Sequence, residues 1–152
     1  MKSHYYFIVS KQTGEAIDVM GASSAPGTHL IAYTRKAAAA DNQLWELVPS
    51  TTPGYYFIKS KQTGEVIDVM GASAAPGTHL IINPQKATGT ENQLWALVPS
   101  NIAGYYFIKS KQTGEVIDVM GANRPPGTHL IAYPQKTTGA DNQLWQFVLV
   151  MP

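Results

Sequence analysis

The sequence predicts an all-β domain made of three copies of a four-stranded unit around a pseudo-threefold axis. Three observations carry this. Whole segments return every 50 residues. Each copy alternates apolar and polar residues in short runs broken by glycine and proline turns. One copy is too short to close a core, because isolated hairpins are marginal in water. The 152 residues suit one domain spanning 1–152, with repeats at approximately 1–50, 51–100 and 101–152.

The first element is expected near Tyr5 to Ser10. Tyr5-Tyr6-Phe7-Ile8 recurs at 55 and 105, with Tyr6 and Ile8 on one face and Tyr5 and Phe7 on the other. Lys11-Gln12-Thr13-Gly14 is a turn, where Gly14 is free to take positive φ. A second strand near Glu15 to Met20 points Ile17 and Val19 one way and Asp18 the other. Pro26-Gly27 has the order of a type II turn. A third strand runs from Thr28 to Tyr33. Ala37 to Asp41 is a loop, because the matching Ala87-Thr88-Gly89-Thr90 and Thr137-Thr138-Gly139-Ala140 do not support a helix over the alanines. The fourth strand, Gln43 to Val48, sets Gln43, Trp45 and Leu47 on one face. Twelve strands sharing one core around a threefold axis make a β-trefoil. A three-bladed propeller is the alternative, but propellers usually have four or more blades.

Composition narrows the function. Charged residues make up only 14% and the net charge is +1, which disfavours electrostatic binding of nucleic acid or acidic membranes. No apolar run approaches the roughly 18 residues of a membrane span, so no membrane insertion is expected. There is no cysteine, so stability must come from packing. The start, Met1-Lys2-Ser3-His4, is too polar for a signal peptide. The expected location is cytoplasmic, or outside the cell by a route with no visible signal.

Gln43-Leu44-Trp45, Gln93-Leu94-Trp95 and Gln143-Leu144-Trp145 match the Gln-x-Trp signature of ricin-type β-trefoil lectins. The upstream Ile-Asp-Val, the Gly-Thr-His-Leu-Ile strand start and the Asn before each Gln match as well. The chain thus resembles that family over its whole length, and its cysteine-free form resembles the small fungal members in particular. The resemblance implies one shallow sugar site per repeat: an Asp on the second strand, an aromatic ending the third, and an Asn before the Gln-x-Trp. In the first repeat these are Asp18, Tyr33 and Asn42; in the third, Asp118, Tyr133 and Asn142. The middle repeat has Asp68 and Asn92, but Asn83 stands where the aromatic belongs. Gly21 and Gly121 would let the backbone approach a sugar closely.

These residue types suit a sugar. A carboxylate accepts two hydroxyl donors in charge-assisted bonds, Asn both donates and accepts, and an aromatic ring covers the C–H face of a pyranose. Galactose and N-acetylgalactosamine, with their axial O4, leave a continuous C–H patch. Galactose-type glycans on glycoproteins or glycolipids are therefore the expected partners, and the outward tyrosines leave room for a homodimer. Asp18→Ala with Asp118→Ala is expected to abolish cell agglutination while leaving the fold intact.

Gln43, Trp45 and their copies are assigned to the core. His29, His79 and His129 alternate with leucines, which should turn them outward on the side of Tyr33 and Tyr133. Solvent exposure or a sugar subsite is expected for them; no metal and no cofactor is expected. Lys11, Lys61 and Lys111 read as solubilising turn charges. Arg124 could bias the third site towards acidic glycans. No nucleophile or metalloprotease motif appears. Paired acids for glycoside hydrolysis would need Asp41, Glu91 or Asp141 as second members, so an enzyme is not expected. The competing classes are a protease inhibitor or protein-binding module using Arg35 or Arg124, and a purely structural scaffold.

Overall fold

The computed structural model describes residues 4–150, so Met1–Ser3 and the last two residues lie outside the described part. The alternation of the first segment builds β1 (Tyr5–Ser10), with Ile8 in the main core and Phe7 in a satellite cluster with Ala16 and Leu44. β2 (Ala16–Val19) follows, buried on both faces. β3 (Leu30–Tyr33) and β4 (Trp45–Pro49) complete the first repeat. The second repeat supplies β5 (Tyr56–Ser60), β6 (Val66–Val69), β7 (Thr78–Asn83) and β8 (Trp95–Pro99). The third supplies β9 (Tyr106–Ser110), β10 (Val116–Val119), β11 (Thr128–Tyr133) and β12 (Trp145–Val150).

The pairing excludes a propeller. β1 pairs with β12 and β4, β5 with β4 and β8, and β9 with β8 and β12, which closes a six-stranded barrel. Hairpins β2–β3, β6–β7 and β10–β11 cap one end. There β11 pairs with both β3 and β7, and a bridge from His29 to Ile81 closes the triangle. This is a β-trefoil.

Trp45, Trp95 and Trp145 are fully buried, and each indole Nε1 donates to the carbonyl of Ile17, Ile67 or Ile117 at 3.0–3.1 Å. The bond satisfies the one polar atom of each side chain. Symmetry breaks inside: Leu47 and Leu97 match Phe147, whose ring meets Tyr6 and Tyr106 edge-on.

Some boundaries differ from expectation. Gln43 is not in the fourth strand but in a 3-10 turn, Asp41–Gln43, and β4 starts at Trp45. Met20 leaves the second strand to start another such turn, Met20–Ala22. Thr28 and His29 precede β3, whereas their copies lie within β7 and β11. The Pro26-Gly27 turn is type II, with Gly27 at φ 87° and Thr28 N–H donating to Ala25 O at 3.2 Å. Lys11, Lys61 and Lys111 do more than solubilise. They pair with Asp141, Asp41 and Glu91 across repeat boundaries and approach the rings of Tyr105, Tyr5 and Tyr55. Such exposed pairs are screened by solvent and add little to stability.

Candidate functional site

Each repeat gathers its candidate residues beside the turn that follows its second strand. In the first, Asp18, Met20, Gly21, Ala22, Ile31, Tyr33, Lys36 and Asn42 line a depression of about 360 Å³. The equivalent residues of the third repeat line one of about 410 Å³. Strand pairing explains the grouping: Asp18 stands opposite Ile31 across β2–β3, and Tyr33 lies two residues further on the same face. Met20 and Tyr33 form the wall, each about two-fifths exposed.

Asp18 is almost wholly buried. Its Oδ1 accepts from Asn42 Nδ2 at 3.2 Å and its Oδ2 from Gln43 Nε2 at 2.8 Å. A carboxylate has about four lone-pair sites, so acceptor capacity remains for a ligand. Burial pushes the carboxyl above its ordinary range, against the opposing pull of Gln43, the Lys36 ammonium and Asn42. Asp68 and Asp118 are raised for the same leading reason.

Asn42 has less to offer than its residue type promises. Its Nδ2 donates to both Asp18 and Val19 O, and its Oδ1 accepts from Lys36 Nζ at 2.7 Å. Both amide hydrogens are therefore committed, and Asn42 chiefly orients its neighbours. Lys36 is the residue that sequence reasoning missed. It has ammonium donors to spare, and it recurs as Lys86 and Lys136 six residues before each Asn. That fixed spacing was the available signal. Gln43 is structural, as expected, but it holds the Asp as well as the backbone, accepting from Lys36 N–H and donating to Thr34 O. Losing Asp18 would strip a partner from each of two buried amides, at a cost of roughly 1–3 kcal/mol. The expectation that the aspartates can be removed without disturbing the fold is therefore revised.

Gly21 and Gly121 line the depressions, and a Cβ on Gly21 would meet no protein atom within 4 Å. What the fold itself requires of glycine there is conformational: Gly21 has φ 64°, and Ala22 follows with φ 52°. An alanine in this region is strained. The turn is held by a neighbouring repeat, because Ala22 O accepts from Gln62 Nε2 at 2.7 Å.

In the middle repeat Asn83 is half-buried and helps hold the Asp68 carboxylate charged, though without a hydrogen bond of good geometry. The third repeat's Arg124 does not line the Asp118 depression. It reaches Gln12 O at 3.4 Å and borders a separate hollow with Arg35 and Glu15. Arg35 stacks 4.4 Å from the centre of the Phe7 ring.

The histidines lie on the strand face expected of them, two residues before Ile31 and four before Tyr33, but they do not face solvent freely. They converge on the threefold axis, half-buried, with Nδ1 atoms 3.0, 3.2 and 3.2 Å apart. Burial lowers His79 and His129 below the ordinary imidazole value, with the neighbouring histidines adding to the effect.

A family model for the ricin-type beta-trefoil lectin domain-like family matches residues 1–83, 41–133 and 91–150. The chain belongs to this family. Among solved structures, this ricin-type chain is similar to the designed three-fold symmetric protein ThreeFoil, at 35% identity and TM-score 0.84, covering 95% of this chain and 97% of that one. It is similar to 1,3Gal43A, an exo-β-1,3-galactanase from Clostridium thermocellum, at 29% identity and TM-score 0.87, covering 99% of this chain but 31% of that one. The Polyporus squamosus lectin bound to Neu5Aca2-6Galb1-4GlcNAc, a fungal relative, shares 26% identity at TM-score 0.76, covering 97% and 49%. No curated protein sequence matches the chain significantly. Among the described residues, no helix is long and apolar enough to cross a membrane.

Proposed function

We propose that the chain is a multivalent, non-enzymatic lectin for galactose-type glycans, using the depressions around Asp18 and Asp118. One observation supports this most: in each, a buried carboxylate with spare lone pairs, a lysine ammonium and an exposed tyrosine ring border the same shallow space. The carboxylate and ammonium suit adjacent hydroxyls, and the ring suits the C–H face that an axial O4 leaves continuous. Membership of the lectin family and the galactose-containing glycan bound by the Polyporus lectin support the same reading. Asp41, Glu91 and Asp141 are exposed and engaged by lysines of the adjoining repeats, so each site is left with one buried acid.

A single exposed site should bind at about millimolar strength. Two or three on one rigid body, engaging clustered glycans, raise the avidity by roughly 10²–10⁴. Tyr33 and Tyr133 give the cleanest test, because they are exposed and carry no fold-bearing hydrogen bond among those described. Tyr33→Ala with Tyr133→Ala should keep the wild-type denaturation midpoint, lose agglutination of red cells and weaken galactose binding by calorimetry at least tenfold. Unchanged galactose binding by the double variant would remove the assignment.

A further inference from the structure

We propose that His29, His79 and His129 form a transition-metal site on the pseudo-threefold axis, binding one zinc-like divalent cation through their three Nδ1 atoms. Each repeat supplies one ligand, and the three nitrogens already form a triangle with sides of 3.0, 3.2 and 3.2 Å. Tetrahedral zinc with Zn–N of about 2.0–2.1 Å sets its ligands roughly 3.3–3.4 Å apart. The triangle therefore needs to widen by only a few tenths of an ångström. The rings meet edge-on, 63–80° between planes with centroids 4.9–5.0 Å apart, which turns their Nδ1 edges inward and does not stack their faces.

Without a cation the arrangement cannot satisfy itself. A neutral imidazole has one donor and one acceptor nitrogen. Three Nδ1 atoms meeting at a point can share one N–H, but at least one pair of lone pairs is then left face to face. A cation takes all three lone pairs at once. The donor set is imidazole alone, which suits zinc, copper or nickel and not calcium or magnesium. The ligands sit on paired backbone: His129 opposite Ile31, His79 opposite Ile131 and His29 bridged to Ile81. These isoleucines are only 5–6% exposed and form an apolar collar. The histidines' own partial exposure leaves solvent access for a fourth ligand, such as water.

The site is independent of the sugar reading and differs from it in stoichiometry, one ion per chain. Protein stripped with chelator and dialysed would be titrated with Zn²⁺ by calorimetry and with Co²⁺ by visible absorption. We expect one ion per chain at micromolar strength or better, and the intense bands of four-coordinate cobalt. The thermal midpoint should rise by on the order of 5–10 °C at a hundredfold excess of zinc over Kd. His79→Gln should weaken zinc binding at least a hundredfold, while His4→Gln, outside the cluster, leaves it unchanged. Absence of a one-to-one event in the wild-type chain up to millimolar zinc would overturn the proposal, whatever the variants do. So would binding that survives in folded His79→Gln.

Discussion

Asn83 shows how much one residue can alter a site whose frame is otherwise repeated. Asp68, Asn92, Gln93 and Lys86 reproduce the hydrogen bonds of the first repeat to within about 0.1 Å. Only the wall differs, where a short amide replaces a phenol and turns towards the carboxylate it should leave free. Asn83→Tyr is therefore expected to restore the stacking surface and release Asp68. Galactose titration by calorimetry should then give three sites per chain in place of two. An unchanged stoichiometry and affinity would show that the missing ring is not what sets the middle repeat apart.

At the scale of elements, turns decide where the third strands begin. The Ala25–Thr28 turn docks on another repeat through Gly27 N–H, which donates to Ile82 O at 2.8 Å; Gly77 and Gly127 repeat the contact on Ala132 and Ala32. A Cβ on Gly27 would meet open space, and alanine keeps the N–H donor. The cost of Gly27→Ala is therefore the left-handed backbone alone, about 1–2 kcal/mol. Urea denaturation should show a lower midpoint with an unchanged slope. The loop before the fourth strand shows that the same conformation can be reached without glycine: Ala39 has φ 52° where Gly89 and Gly139 stand in the other repeats.

For the whole molecule, buried ionisable groups set the pH profile. His79 and His129 are held below their ordinary value. Their contribution to stability is present above about pH 6.5, the usual imidazole value, and is lost as pH falls through the lowered folded values. The carboxyls of Asp18, Asp68, Asp118, Glu15 and Glu115 are raised, with burial the leading cause. Their contribution is present below about pH 4 and is lost as pH rises through the raised folded values. Both sets are unfavourable between these windows. Urea midpoints measured with chelator present should pass through a shallow minimum between about pH 4 and 6.5. Replacing His79 and His129 by Gln should remove its alkaline limb and leave the acid limb in place.

The repeat, the strand faces, the buried Gln-Leu-Trp core and the exception at Asn83 were all determined by the sequence, because a period of two and a spacing of 50 residues report directly which side chains share a face and which positions are equivalent. The candidate residues Asp18, Tyr33 and Asn42 were legible too, and the fold does bring them together. Only the tertiary structure decided how they share the work. Asn42 proves committed to Asp18, Val19 and Lys36, and Lys36 enters the site from a loop whose path no periodicity describes. The histidines show the limit most clearly. Alternation placed them on the outer face of their strands, but whether an outer face meets water depends on where three strands from distant parts of the chain begin. Here they begin at one axis, so three residues each expected to face solvent face one another.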